Sequence, residues 1–513
     1  MITKGIIKTG EYFDSVTLMI VGRDLSAMDG VNDAAVVMGT KENKSILQTS
    51  GLLFPEFNNA KDTDLLIAVN ARDEKTIEAA LNMVEELLKK ARNKGDDDEE
   101  FQPKSIDGAL KIMPNANIAV ISVAGKYAGA EAEKALNNGL HVMLFSDNVS
   151  IETELALKKK GASKGLLVMG PDCGTAIING VPLAFANVVN RGDIGIVAAA
   201  GTGLQEVSSI ISNAGGGISQ AIGTGGRDIK KDIGGIMFIE GIKALANDPQ
   251  TKVVCLVSKP PHKDVLEKIF QVIKQINKPV VSIFLGADSK PEIKNYYQAS
   301  TLEEAALISV ALSKNEKIEE VSNKLSLRKN EINLLAAKLR SKVGKDQRYI
   351  RALYSGGTFC SEAQVIFGKK ITDIYSNAPY GNAKKLENSL ESRAHTIVDL
   401  GEDEFTQGRP HPMIDFSLRN KRILAEGLDP QVAVILLDIV LGYGSNMDPA
   451  GEISSAIKAA TKNKIIICSI TGTDMDPQNR SIVENAVKKA GAVVMPSNAA
   501  ACDLAKEIIA ILK

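Results

Sequence analysis

The sequence predicts an α/β protein built from successive parallel sheets covered by helices on both faces, preceded by a small α+β domain. Three observations carry this expectation. From Asn117 onward, short runs rich in Val and Ile recur that are near-continuously apolar rather than alternating, as strands buried on both faces require. Stretches with a helical period separate those runs, which suits crossover connections between parallel strands. The first ninety residues alternate strand-like segments with an amphipathic stretch and a helix, which reads as a small α+β domain.

In chain order, a strand-like GIIKT, an amphipathic stretch from Ser15 to Met28, strands from Asp33 to Met38 and Asp64 to Val69, and a helix from Glu74 to Lys90 make the α+β domain, residues 1–92. The run NKGDDDEEFQPKS has nothing apolar to bury, so 93–112 reads as an acidic, solvated linker. Residues 113–190 hold NIAVISVA, a helix from Ala130 to Asn138, HVMLFS, a helix from Glu152 to Lys159, and GLLVMG. Residues 191–312 resume with DIGIVAAAG, a helix from Leu204 to Asn213, SQAIGTGG, VVCLVSKPP and PVVSIFLG. Residues 313–346, dense in Lys, Glu and Asn with a helical period, suggest a connecting helical pair. Residues 347–513 form a further α/β unit from YIRALYSGG, HTIVDLGED, VAVILLDIVLGYG, KIIICSITGT and GAVVMPSN. No 20- to 50-residue repeat of the solenoid kind is present.

The chain of 513 residues suits several domains, at roughly 100–200 residues each. Its 61 Lys and Arg against 62 Asp and Glu offer no global field for nucleic acid. Aromatics make up 4% with no Trp, leaving few stacking platforms for bases and few anchors for a bilayer. The longest apolar stretch, Val432 to Leu441, is interrupted by Asp438 and is too short to span a membrane. MITKGIIKTG lacks the apolar core of a signal peptide, so the expected compartment is the cytoplasm. Five scattered cysteines without a CxxC pair indicate neither a disulfide framework nor a zinc site, and no metal is expected.

Two strand-to-helix junctions stand out. Gly201, Thr202 and Gly203 follow strand GIV and precede LQEVSSIISNAG; a small-residue turn there exposes first-turn N–H groups at the positive end of the helix dipole, suited to an anion. The alternative is a tight turn that only lets helix and strand pack. Gly442, Tyr443, Gly444 and Ser445 end a second buried strand, with Pro449 near the start of the next helix. Neither junction carries the Gly-Lys-Ser/Thr of a P-loop. Of the four histidines, His141, His262 and His395 read as strand or helix-start residues. His411, in GRPHPMID between two prolines and beside Arg409 and Asp415, suits substrate binding or proton transfer, against a purely structural loop role. Asp474 and Asp476 read as turn and cap residues.

GLLVMGPDCGT, RGDIGIVAAAGTGLQEV, IGTGGRD and VVCLVSKPP follow one another as in the α subunit of succinyl-CoA synthetase, and the stretch from His395 onward resembles the C-terminal domain of its β subunit. With the extra N-terminal domain and the GRPHPMID loop, the chain most resembles the FdrA (AllF-type) family. That resemblance implies Rossmann-like (113–190, CoA-binding type) and flavodoxin-like (191–312 and 347–513) domains of succinyl-CoA synthetase type. It also implies a place among the subunits of the oxamate carbamoyltransferase of anaerobic allantoin and purine breakdown. The synthetase's phosphohistidine swings to a site between two helix N-termini, which the resemblance places at Gly201 to Val207 and Gly444 to Ile457, so that Gly201–Gly203 and Gly442–Ser445 are the expected halves of one phosphate site. In place of the GHAGA loop stands GADSKPEIKNYYQAS, with no histidine from Lys263 to Ala394, and no ATP-grasp domain is present. CoA and ATP are therefore not the expected cofactors, and Lys259 in VSKPP replaces the acidic residue that faces the phosphohistidine.

The function implied is phosphorolysis of oxalurate to oxamate and carbamoyl phosphate. Inorganic phosphate, or the phosphate of carbamoyl phosphate, would be held by the two helix N-termini and Lys259. His411 would move the proton, and Arg409 or Arg419 would fix a substrate carboxylate. Expected partners are other carbamoyltransferase subunits, a small carbamoyl substrate and a homo- or hetero-oligomer, without nucleic acid or membrane. An acyl-CoA synthetase-like or CoA-binding protein, or a non-catalytic scaffold subunit, is the alternative.

Overall fold

The computed structural model describes residues 2–11, 13, 15–93, 103–287, 291–406 and 410–510. Three segments named above fall wholly or partly outside them: the acidic run over 94–102, Asp288 to Lys290, and 407–409 with Arg409. Internal contacts divide the chain into two units, Met1–Ala109 with Glu402–Asp415, and Leu110–Gly401 with Phe416–Lys513.

The first unit has a three-stranded antiparallel sheet with Leu65–Ala71 between Ile2–Lys8 and Val31–Met38. Leu65, Ile67, Val69 and Ala71 face the helices Ser15–Ser26 and Glu74–Asn93, packing on Leu18, Val21, Leu25, Ile77 and Val84. Leu66 and Ala68 face the other way, onto Leu47, Leu52 and Phe57. Both faces are covered, which is why the central strand LLIAVNA is apolar throughout instead of alternating. The helix Lys41–Thr49 that supplies Leu47 was not among the expected elements.

In the second unit, a three-stranded parallel sheet of Ile118–Ile121, His141–Leu144 and Val168–Met169 comes first. A seven-stranded sheet follows in the order Tyr296–Gln298, Val280–Phe284, Val253–Ser258, Arg191–Ala198, Ile218–Gly223, Thr175–Ile178, Val181–Ala184. Its last two strands form an antiparallel hairpin, so residues 175–184 join the sheet of 191–312 and not the domain over 113–190 to which the expectation gave them. The third sheet is parallel throughout, in the order Lys384–Lys385, Ile374–Ser376, His395–Asp399, Tyr349–Tyr354, Val432–Val440, Ile465–Thr471, Val493–Met495.

Both seven-stranded sheets reverse their winding direction beside their first parallel strand. In one, the chain passes from Arg191–Ala198 to Ile218–Gly223 on one side and then to Val253–Ser258 on the other. In the other, it fills the side of His395–Asp399 and then crosses to Val432–Val440. Crevices open at the carboxyl ends of strands at such points, which is where open α/β sheets bind ligands.

Two connector expectations need correction. The supposed linker ends in a helix, Ile106–Ile112, started by the Ser105 hydroxyl accepting the Gly108 N–H at 3.1 Å. Residues 313–346 hold one long helix, Ile318–Arg340, instead of a pair, because the chain from Ile318 to Arg340 contains no Gly or Pro to interrupt it.

Candidate functional site

Strand Arg191–Ala198 runs into the helix Gly201–Asn213, and strand Tyr349–Tyr354 into the helix Gly357–Phe367. Their N-caps are Ala200 and Gly356, which supply no side-chain cap, and neither helix has an acidic residue in its first turn. The first-turn N–H groups of Gly201, Thr202, Gly203, Gly357, Thr358 and Phe359 bond no protein acceptor among the described residues. Uncapped helix starts of this kind are anion sites in waiting.

The two starts face each other. A Cβ on Gly356 would lie 2.7 Å from Thr202 Cγ2, and one on Gly203 would lie 3.0 Å from Thr358 Cγ2. This corrects the expected pairing, because the helix start opposite Gly201–Gly203 belongs to Gly356–Thr358 and not to Gly442–Ser445. The latter loop packs on the segment Phe185–Asn187: Gly444 bears on the Phe185 ring and the Tyr443 N–H donates to Ala186 O at 3.0 Å. The Gly442 N–H donates to Gln478 Oε1 at 3.0 Å, so two of the loop's donors are already committed to protein acceptors. Gly442 and Gly444 have φ of 107° and 78°, the positive values that explain glycine there without any ligand.

Lys259 follows strand Val253–Ser258, at the crevice beside Gly201. It is half-buried, and among the described residues it makes no ion pair or hydrogen bond. Its ammonium lies 6.0 Å from the Tyr380 ring centroid, and the Tyr380 hydroxyl donates to Leu285 O at 2.6 Å. Burial pushes the Tyr380 hydroxyl up to about 12, so it stays protonated. Burial, followed by the charge of Asp399, pushes the Cys360 thiol up, while Lys259 pulls the other way. Asp399 Oδ2 lies 2.6 Å from the position of a Cβ on Gly357, and Oδ1 accepts the Gly401 N–H at 2.9 Å.

The other expected residues fall elsewhere. Arg419 is not a substrate clamp: it is 0% exposed, and its Nη1 donates to Asp438 Oδ1 at 2.9 Å and to Asp438 O at 2.6 Å. Asp438 in turn accepts from Ser355 N at 2.8 Å and Ser355 Oγ at 2.7 Å, so the pair supports the turn that leads into Gly356. A guanidinium sealed in this way cannot reach a substrate. His411 belongs to the unit of Met1–Ala109 and Glu402–Asp415, half-buried, its Nδ1 accepting the Met413 N–H at 3.2 Å. His141, His262 and His395 each accept a backbone N–H through Nδ1. Asp476 accepts from Thr473 N and Val188 N at 2.7 Å each, and Asp474 from Ser481 N at 2.7 Å, as turn and cap residues do.

Gly356, Gly357, Thr358 and Asp399 were missed, although a signal was present. Gly201-Thr202-Gly203-Leu204-Gln205-Glu206 and Gly357-Thr358-Phe359-Cys360-Ser361-Glu362 share the pattern Gly-Thr-x-x-x-Glu after a buried strand. A cleft of about 270 Å³ lined by Ile118, His141, Met169, Ile222 and Leu245 contains none of these residues.

Comparison with known proteins accords with this architecture. The CoA-ligase family matches residues 353–508, the CoA binding domain 189–286, and the AllF heavy metal-associated domain 1–103. The uncharacterized protein YahF of Escherichia coli K12 is 43% identical over 520 residues, covering 99% of each chain. A succinate–CoA ligase α subunit of Archaeoglobus fulgidus is 28% identical over 181 residues, 34% of this chain and 60% of its own length. The apo dinucleotide-forming acetyl-coenzyme A synthetase 1 of Candidatus Korarchaeum cryptofilum aligns with 16% identity and a TM-score of 0.31, over 77% of this chain and 82% of that one.

The heavy-metal label does not fit the residues present. Residues 1–103 contain neither cysteine nor histidine, so a thiophilic ion would find no thiolate or imidazole donor. Among the described residues no group of His, Cys, Asp and Glu is arranged to hold a metal, and no helix is long and apolar enough to cross a membrane. What the match conveys for this domain is its fold. With an AllF-type first domain, CoA-ligase-type sheets and a full-length relative in YahF, the chain belongs to the FdrA/AllF family of succinyl-CoA synthetase-like proteins.

Proposed function

We propose that the chain is a subunit of a phosphate-dependent carbamoyltransferase, with phosphate bound between the helix starts at Gly201–Gly203 and Gly356–Thr358 and neutralised by Lys259. One observation carries the reading: two uncapped helix N-termini in contact, with a half-buried lysine at the neighbouring crevice that forms no ion pair among the described residues. Helix starts favour a dianion through N–H groups and dipole, and a half-buried cation adds to both.

The reaction is the phosphorolysis of oxalurate. A phosphate oxygen attacks the carbamoyl carbon, the bond from that carbon to the oxamate nitrogen breaks, and a proton reaches the leaving nitrogen. The products are carbamoyl phosphate and oxamate. Donors fixed at the phosphate and at the developing oxyanion lower the barrier without reorganising. The proton released by the attacking phosphate passes to the leaving nitrogen, and Asp399, beside Gly357 in the same unit, is the side chain placed to relay it. Without a histidine between Lys263 and Ala394, no phosphoenzyme relay takes part.

The CoA-ligase and CoA-binding matches favour a second reading, an acyl-CoA synthetase-like protein. Calorimetry of the full chain with inorganic phosphate and with CoA separates the two, followed by assay of the native complex for phosphate-dependent oxalurate cleavage. Phosphate binding and carbamoyl phosphate formation support the transferase. CoA binding without phosphate affinity overturns it.

A further inference from the structure

The two facing helices are tied together one turn below their starts. Glu206 and Glu362 occupy the same position of the shared Gly-Thr-x-x-x-Glu pattern and are 2% and 1% exposed. Glu362 Oε1 accepts the N–H of Leu302 at 2.8 Å, the first residue of the helix Leu302–Ser313. Glu206 Oε1 accepts the N–H of Asn498 at 3.1 Å, the first residue of the helix Asn498–Ala510. The helix Leu302–Ser313 flanks the sheet that carries Glu206, and Asn498–Ala510 flanks the sheet that carries Glu362. Each glutamate therefore caps the closing helix of the opposite α/β layer. Asn498 Nδ2 also donates to Glu362 Oε2 at 2.8 Å, and the Thr471 hydroxyl donates to Glu206 Oε2, joining the two caps in one network.

We propose that Glu206 and Glu362 are positioning residues, reciprocal caps that hold the N-termini of Gly201–Asn213 and Gly357–Phe367 face to face without touching what binds there. Two buried carboxylates are an expensive way to join helices that apolar side chains would join as firmly. What a directional cap adds is register. Each carboxylate fits one helix start only, so a slide of one layer along the other breaks both caps at once. The register so held is the one that places Thr202 against Gly356 and Gly203 against Thr358.

This inference rests on the phosphate reading, and its test keeps the two apart. Phosphate affinity of the full chain is measured by calorimetry well below the melting temperature for Glu206→Ala, Glu362→Ala and a destabilised control, Leu245→Ala, in the core on the outer face of the seven-stranded sheet. Each glutamate variant should weaken phosphate tenfold or more, while the control shifts affinity less than twofold despite its lower melting temperature. If an alanine variant does not fold, the glutamine variant replaces it and should weaken phosphate at least threefold. Wild-type affinity in folded glutamate variants overturns the proposal. Should the wild type itself not bind phosphate, the functional reading fails, and hydrogen exchange decides the positioning role: faster exchange in both first turns, 201–204 and 357–360, in either variant supports it, and unchanged exchange overturns it.

Discussion

Gly356→Ala tests the facing helix starts with one methyl group. Gly356 has φ −122° and ψ 119°, a conformation open to alanine, so the substitution adds no backbone strain and acts through space alone. The new Cβ would stand 2.7, 2.8 and 2.9 Å from Thr202 Cγ2, Oγ1 and Cβ. Ordinary carbon contacts begin near 3.5 Å, so the helix starts must part by about 0.8 Å. N–H···O bonds of about 2.9 Å from one helix to a phosphate held by the other would then stretch to about 3.7 Å, beyond hydrogen-bond range. Losing one such charge-assisted bond costs about 1.5–3 kcal/mol, which lowers phosphate affinity roughly ten- to a hundredfold. Overpacking adds a stability cost of about 1–3 kcal/mol. Calorimetric titration with phosphate and thermal unfolding measure the two effects, and Thr202→Gly in the same chain should recover part of both by removing all three clashing atoms. A Gly356→Ala chain with wild-type phosphate affinity would refute a site between these helices.

Lys259→Met keeps most of the side-chain volume and deletes a charge that no described protein group neutralises, so phosphate affinity or the phosphorolysis rate should fall roughly ten- to a hundredfold with little change in stability; unchanged kinetics at varied phosphate return the CoA reading to first place. Arg419→Met leaves the Asp438 carboxylate buried beneath Ser355 without its cation and should destabilise by about 3–5 kcal/mol in denaturant unfolding, whereas a substrate-binding arginine would lower activity and leave stability alone. Burial pushes the Glu362 carboxyl up from 4.5 to about 7, opposed by the Leu302 N–H and Asn498 and assisted by the charges of Glu206 and Asp503. The folded state therefore holds the proton more tightly than the unfolded chain, and stability from this group is fully present below pH 4.5 and lost as pH rises through 7. The loss amounts to about 3 kcal/mol across that window, and Glu362→Gln should flatten the pH dependence measured by unfolding at about pH 5, 6, 7 and 8.

Much of this protein is legible from the residues alone. Apolar runs such as VAVILLDIV and VVCLVS can only be strands covered on both faces, and the small residues after RGDIGIVA mark a helix start that an anion can approach. Lys259 stands out from its place just after a buried strand, before two prolines. These are local properties, set within a few residues of chain. The partner of the Gly201 junction is not local. Three junctions, marked by Gly203, Gly357 and Gly444, offer small residues after a buried strand, and composition ranks none above another.

Which two junctions face each other is decided by how the α/β layers pack. The absence of a side chain on Gly356 admits Thr202, and Glu206 and Glu362 each find a helix start that lies far away in sequence. Arg419 shows the same division. A helical arginine reads as a group free to meet a substrate until Asp438, on a strand 19 residues later, closes over it in the folded core. Strand and helix follow from periodicity because each residue's neighbours along the chain determine them. The site depends on contacts between residues more than a hundred positions apart, which the chain specifies only through the packing of whole layers.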